Sequence, residues 1–143
     1  MRPADKGIAV TLAQRFDAPL ALAARLLMAV LFLMAGLSNA GDVRGFAETL
    51  AADGVPIAVG GLVFWYLILS GAFLIAGVQT RATALTMAGF SLLSGLLAYS
   101  DLALPTDMVM LLKNIALTGG YLMIALHGPG QWSVDAWLAK QAA

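Results

Sequence analysis

The sequence predicts an all-α integral membrane protein, an up-down bundle of four transmembrane helices. Hydrophobic residues make up 61% of its 143 residues and charged residues only 11%, against about 45 to 50% apolar and about 25% charged in soluble domains. The few charges lie between long apolar runs, as expected when roughly 18 or more apolar residues cross a bilayer. These runs show no period-two alternation, which favours helices over barrel strands.

Each span is predicted from the position of the charges. No Lys, Arg, Asp or Glu occurs between Asp53 and Arg81, between Arg81 and Asp101, or between Lys113 and Asp135. The first span has only Arg25, near its start. Short connections between such runs produce an antiparallel bundle. The predicted spans are residues 19–40, 57–78, 82–99 and 108–127, within one membrane domain covering residues 1–143 and a bundle covering residues 18–130.

The segments outside the spans are also predicted. Residues 1–17 form either an interfacial segment or a frayed tail, and the sequence favours neither. Residues 46–56 predict one short surface helix that Gly54 and Pro56 end. In the C-terminal tail, residues 131–143, Ser133 is the predicted N-cap of a short helix. The "SNA" at residues 38–40 is similar to a leader cleavage site, but the apolar run is too long for a signal core, and we expect no cleavage.

The distribution of Lys and Arg predicts the orientation. If the intramembrane Lys113 is set aside, Arg44 stands alone on one side of the predicted bundle. Both termini are therefore predicted to be cytoplasmic. The Lys and Arg residues predicted on the cytoplasmic side are Arg2, Lys6, Arg15, Arg25, Arg81 and Lys140.

Composition excludes several classes of function. The chain has no cysteine and one histidine, so we expect no metal or haem site. Eight Lys and Arg balance eight Asp and Glu, which leaves no basic surface for nucleic acid. No Ser-His-Asp set occurs, so no residue is predicted to be catalytic, and demanding chemistry would need a borrowed cofactor.

The fourth span carries the most informative polar residues. Asn114, Thr118 and Tyr121 recur at three- and four-residue steps, so they are predicted to face the bundle interior, with Lys113 on the flank. One interpretation is a ligand, quinone or proton site. The other is that Lys113 snorkels to the membrane surface or pairs with a nearby aspartate.

Two further groups of residues each have two possible interpretations. Trp65 and Tyr66 are interpreted either as interfacial anchors or as walls of a site for a flat apolar ring. Arg25, Arg81 and Asp135 are predicted to meet at the cytoplasmic end. That ion cluster either locks the helix ends together or holds an anionic headgroup or a cytoplasmic partner.

Ordered motifs across residues 25–137 resemble the DoxX family of small bacterial four-helix membrane proteins. The matching pieces are "RLLMAVLFLMAGLSNA" from Arg25, "GVP" from Gly54, "SGAFLIAGVQTRATAL" from Ser70, "LKNIALTGGYLM" from Leu112 and "GPGQWSVDAW" from Gly128. The resemblance implies a multi-pass protein of the bacterial inner membrane. It also implies association with quinone-linked membrane oxidoreductases and oxidative-stress complexes.

The resemblance leads to a functional expectation. We expect an accessory or quinone-site subunit of a respiratory-type oxidoreductase, in which Lys113 or Asn114 bonds a quinone carbonyl and aromatic residues cover its ring. It is not expected to be catalytic alone. Its expected partners are membrane lipid and either larger oxidoreductase subunits or further copies of itself. The alternatives are a structural subunit that assists assembly of a larger complex and, third, a transporter.

Overall fold

A computed structural model describes the backbone of residues 3–142 and the side chains of residues 16–142. This part of the chain is helical and contains no β-strand. Four of its helices are long and apolar enough to cross a bilayer, which confirms the predicted fold class. The helices are α1 (Pro3–Leu37), α2 (Val43–Ala52), α3 (Ile57–Ala76), α4 (Thr80–Ala98), α5 (Pro105–His127) and α6 (Val134–Gln141).

The first helix differs most from its prediction. It begins at Pro3 and continues through Pro19, where the predicted span began. A proline within a helix removes one backbone hydrogen bond and tends to kink the helix, but the bonds on either side can persist. The apolar stretch of α1 is Phe16–Leu37. The two interpretations of residues 1–17 depend mainly on the side chains of residues 1–15, which lie outside the described side chains.

Both predicted short helices are confirmed. The Asp42 carboxylate caps α2 by accepting from the Gly45 N–H at 2.8 Å. The Ser133 hydroxyl caps α6 by accepting from the Ala136 N–H at 3.1 Å. Such side chains satisfy backbone donors that have no partner within the helix.

The bundle consists of two closely packed helix pairs, α1 with α3 and α4 with α5. Small residues permit this packing. A β-carbon at Gly71 would lie 2.7 Å from Leu33 Cγ, and one at Gly95 would lie 2.7 Å from Asn114 Cβ. The α3/α4 and α1/α5 seams are looser. The buried core comprises Ala29, Phe32, Leu67, Leu74, Ala84, Met87, Ala88, Tyr121 and Ile124.

Candidate functional site

The predicted polar side chains of α5 lie inside the bundle and bond to its backbone. Tyr121 is fully buried, and its hydroxyl donates to the Met28 carbonyl at 2.8 Å. The Asn114 amide donates to the Met110 carbonyl at 2.9 Å, and the Thr118 hydroxyl to the Asn114 carbonyl at 2.8 Å. The Tyr121 bond joins α5 to α1, whereas the bonds of Asn114 and Thr118 stay within α5 and satisfy the donors of those side chains.

The structure separates the six predicted site residues. Lys113 is exposed, with its Nζ 3.2 Å from the Met110 sulfur, and the Trp65 side chain is 60% exposed. Successive helical residues point about 100° apart, so the neighbours Asn114 and Tyr66 turn inward while Lys113 and Trp65 turn outward. The structure therefore does not bring the six residues together at one position.

An aromatic cluster connects Tyr66 with Tyr121. Phe32 is buried between them, with ring centroids 6.2 Å from Tyr66 and 5.5 Å from Tyr121, both in edge-on geometry. Phe90 completes the cluster, 5.1 Å from Tyr66 and 5.6 Å from Phe32. Edge-to-face and tilted pairs are favourable because ring edges are positive and ring faces negative. The cluster fixes the position of Tyr66.

A lateral groove opens beside Tyr66 at the α3/α4 seam. Its volume is about 320 Å³. The Tyr66 hydroxyl oxygen is buried beside the Thr86 side chain, but it makes no hydrogen bond of normal length and angle to any described residue. The Thr86 hydroxyl already donates to the Thr83 carbonyl at 2.9 Å. An unpaired hydroxyl in a bilayer is unfavourable by several kcal/mol, so a ligand acceptor at this position would be stabilising. The groove is lined by Leu62, Val63, Tyr66, Thr86 and Phe90.

A second groove continues the first toward α2. It has a volume of about 200 Å³ and shares Val63 and Phe90 with the first groove. Leu50 and Asp53 line its far end, close to the predicted outer surface. The two grooves together give the α3/α4 seam a long apolar surface with its polar groups at a few points, which is the usual character of a small-molecule site.

Arg25 connects three parts of the chain at the opposite end of the bundle, the predicted cytoplasmic end. Its side chain is 1% exposed. The guanidinium donates to the Ile75 carbonyl at 3.1 Å, to the Leu74 carbonyl at 3.4 Å and to the Trp132 carbonyl. The last carbonyls of a helix have no intrahelical partners. Arg25 therefore caps α3 and attaches the segment that precedes α6.

Asp135 caps α4 from a distant part of the sequence. Its carboxylate accepts from the backbone N–H groups of Gln79 and Thr80, both at 2.8 Å, and from the Thr80 hydroxyl at 2.9 Å. Its own N–H donates to the Gly77 carbonyl at 2.9 Å. Burial alone would raise the pKa of Asp135, but these bonds and the charge of Arg25 outweigh it and hold the pKa below the ordinary value.

The structure brings two of the three predicted cluster residues, Arg25 and Asp135, into one assembly, and Arg81 lines a surface depression together with Asp135. Arg25 and Asp135 lie in one assembly, but each acts mainly on backbone groups of the α3–α4 turn. Arg81 is exposed and lies beside Gly128. The ion pair found within 4.0 Å among the described residues joins Arg44 and Glu48. We call the assembly of Arg25, the α3–α4 turn and Asp135 the clasp.

The clasp requires a glycine in the turn. Gly77 has φ of 71°, a left-handed conformation that disfavours other residues. A β-carbon there would also overlap Arg25 and Ser133. The clasp is therefore closely packed around Gly77 and leaves no room for a side chain there.

Of the residues that line the α3/α4 groove, the sequence identified only Tyr66, and both lining residues of α4 were missed. Thr86 and Phe90 are four residues apart and therefore share one face of α4. That spacing was the available signal, but it does not reveal which neighbouring helix faces them. Tyr66 was identified, yet its unpaired hydroxyl is a property of packing.

The fold and its grooves define a small polytopic membrane protein with apolar lateral sites. The DoxX family profile matches residues 20–100. The chain is 38% identical over 120 residues to "Inner membrane protein YqjF" of Escherichia coli strain K12, covering 84% of this chain and 92% of that protein. No solved structure shows significant similarity. The chain belongs to the DoxX family and is a multi-pass inner-membrane protein.

Proposed function

We propose that this protein is an accessory subunit of a quinone-linked membrane oxidoreductase and that it binds quinone in the α3/α4 groove beside Tyr66. The observation that carries the proposal is the buried, unpaired Tyr66 hydroxyl next to an apolar groove. The family resemblance supplies the class of reaction. The groove supplies a different place for the ligand from the Lys113 and Asn114 pair that the sequence suggested.

The groove residues match the chemistry of a quinone. The Tyr66 hydroxyl would donate to one ring carbonyl, and the Phe90 ring would pack against the quinone ring. Thr86 has its proton engaged by the Thr83 carbonyl, so its oxygen is available to accept from a quinol hydroxyl. When bound, a quinone supplies two-electron redox chemistry that the side chains lack.

Depth in the membrane favours a quinone over a phospholipid headgroup. Tyr66 lies nine residues after Ile57, the first residue of α3, and ten before Ala76, the last. At 1.5 Å per residue it is about 14 Å from either helix end. Phospholipid headgroups stay at the bilayer surface, whereas a ring with carbonyl acceptors and an apolar tail partitions deeper. An acceptor at the depth of Tyr66 would therefore belong to such a ring and not to a phospholipid headgroup.

The proposal is tested by quinone retention. The protein is purified in mild detergent, and quinone is extracted and quantified per chain. Tyr66→Phe removes only the hydroxyl, so we expect retained quinone to fall about tenfold, the effect of one hydrogen bond worth about 1.4 kcal/mol. Trp65→Phe is the matched control, because that neighbouring aromatic side chain faces outward. Equal retention in both variants would refute the site.

The same preparation addresses the accessory role. Intact-complex mass determination should reveal stoichiometric larger subunits, and loss of quinone in Tyr66→Phe should lower turnover of that complex. A stoichiometric partner without quinone at any level would favour the structural subunit. A lone, quinone-free protein would contradict both proposals.

A further inference from the structure

A third groove lies at the α1/α5 seam, and the proposed quinone site does not use it. Its volume is about 470 Å³. It follows α1 from Asp17 to Met28, a length of about 16 Å at 1.5 Å per residue. On α5 it extends from Gly120 to the end of the helix. The packing between α1 and α5 is loose. A groove of this length along two spanning helices is the shape of a site for a lipid chain.

The wall of the groove is apolar through most of its length. Leu20, Leu27, Met123 and Ile124 line it, while the small side chain of Ala24 leaves space at the centre. Leu27 is 75% exposed, so the groove opens laterally toward the membrane. An acyl chain can enter it without crossing the bundle.

The polar groups of the groove lie at the predicted cytoplasmic end. Asp17 is exposed and supplies a carboxylate. His127, the last residue of α5, is also exposed and has its Nδ1 2.9 Å from the Met123 carbonyl. Because a carbonyl can only accept, Nδ1 carries a proton in this contact, and Nε2 is the ring nitrogen that faces away from the backbone. Both groups therefore present a polar atom to a ligand.

The terminal N–H donors of Arg25, the cationic residue that lines the groove, bond outside it, and its Nε is buried. Arg25 lines the groove, but its terminal nitrogens donate to carbonyls of α3 and to the Trp132 carbonyl. It also lies eight residues deeper than Asp17, about 12 Å along α1. The mouth thus combines a carboxylate with an imidazole ring nitrogen, which complements a cationic group that has several N–H donors.

We propose that the α1/α5 groove binds a phospholipid with a primary ammonium headgroup, as in phosphatidylethanolamine. The ammonium donates to the Asp17 carboxylate and the His127 Nε2, and one acyl chain follows the apolar wall. A choline headgroup has no N–H to donate, and an anionic headgroup is repelled by Asp17. The groove therefore selects a lipid by its headgroup rather than by its chains.

Native mass spectrometry of the detergent-solubilised protein tests the selectivity. The probes are phosphatidylethanolamine, phosphatidylcholine and phosphatidylglycerol with identical acyl chains. We expect phosphatidylethanolamine to bind about tenfold more tightly than either of the others. Equal binding of the three lipids, or preference for phosphatidylglycerol, would overturn the proposal.

Two variants locate the selectivity. Asp17→Asn should reduce the preference for the ammonium lipid severalfold. Asp101→Asn changes an exposed carboxylate between α4 and α5 that does not line the groove, and it should retain the preference. Ala24→Phe should fill the groove and weaken binding of all three lipids. If Asp17→Asn keeps the full preference, or if Ala24→Phe leaves binding unchanged, the lipid binds elsewhere and the proposal is wrong. Quinone retention in Asp17→Asn should be normal, which keeps this test separate from that of Tyr66.

Discussion

Replacement of Asp135 by asparagine gives a specific test of the clasp. In the wild type, the two carboxylate oxygens receive three hydrogen bonds, from the Gln79 N–H, the Thr80 N–H and the Thr80 hydroxyl, at 2.8 to 2.9 Å. Asparagine keeps one acceptor oxygen and replaces the other by an amide that donates. The N–H groups at the start of α4 then lose a charged acceptor and at least one bond.

The expected loss follows from these contacts. Hydrogen bonds to charged groups contribute about 1.5 to 3 kcal/mol each, and removal of a helix N-cap costs about 1 kcal/mol. The cap is half-buried and keeps one oxygen, so we expect the free energy of unfolding to fall by about 2 kcal/mol. The Arg25 guanidinium remains bonded to the α3 carbonyls and should hold the turn in place.

The same group should make stability depend on pH. Because folding lowers the pKa of Asp135, its contribution is fully present above the ordinary carboxyl pKa. It should be lost as the pH falls below that value and through the folded pKa. Asp135→Asn should lack this loss, since its amide does not titrate.

The assay is unfolding by SDS titration in mixed micelles, followed by circular dichroism at neutral and acidic pH. Asp53→Asn provides the control, because that exposed carboxylate lies at the end of α2 and outside the clasp. A loss below about 0.5 kcal/mol, which is the range of ordinary surface substitutions, would refute the capping role. An unchanged acid dependence in Asp135→Asn would refute the assignment of the titration.

Two further substitutions and one control variant test the packing by the same assay. Gly60→Ala should destabilise the protein by about 1 to 3 kcal/mol because the new β-carbon would lie 2.6 Å from the Ala47 Cα. Gly61→Ala is the control, because its β-carbon meets nothing within 4 Å and its stability should be unchanged. Equal stability of the two variants would contradict the α2/α3 contact. Tyr121→Phe should lose about 1 kcal/mol with the bond to the Met28 carbonyl, and a change near zero would show that this bond contributes little.

Apolar runs and charges were sufficient to predict the fold. The uncharged runs predicted the four spans, and Ser133 predicted the start of α6. These features are local, since a bilayer requires continuous apolar helices and a cap acts within one turn. The start of α1 at Pro3 was missed because the sequence rule treats Pro19 as a helix start, although a spanning helix can continue through a proline.

The candidate sites depend on contacts that the sequence does not reveal. Arg25 was identified, but its actual partners are backbone carbonyls, which carry no residue signature. Lys113 was predicted on the flank of the polar stripe, and only packing shows that it turns outward while Asn114 is buried. The unpaired Tyr66 hydroxyl is likewise determined by its neighbours on two other helices.

The central claim is that the groove beside Tyr66 holds a quinone, and quinone content per chain measures it most directly. The wild-type protein, purified in mild detergent, should retain quinone in a stoichiometric ratio to the chain. Tyr66→Phe should lose most of it, while Trp65→Phe and Lys113→Ala should retain it, because both side chains face outward. A quinone-free wild type, or loss in Lys113→Ala with full retention in Tyr66→Phe, would contradict the claim.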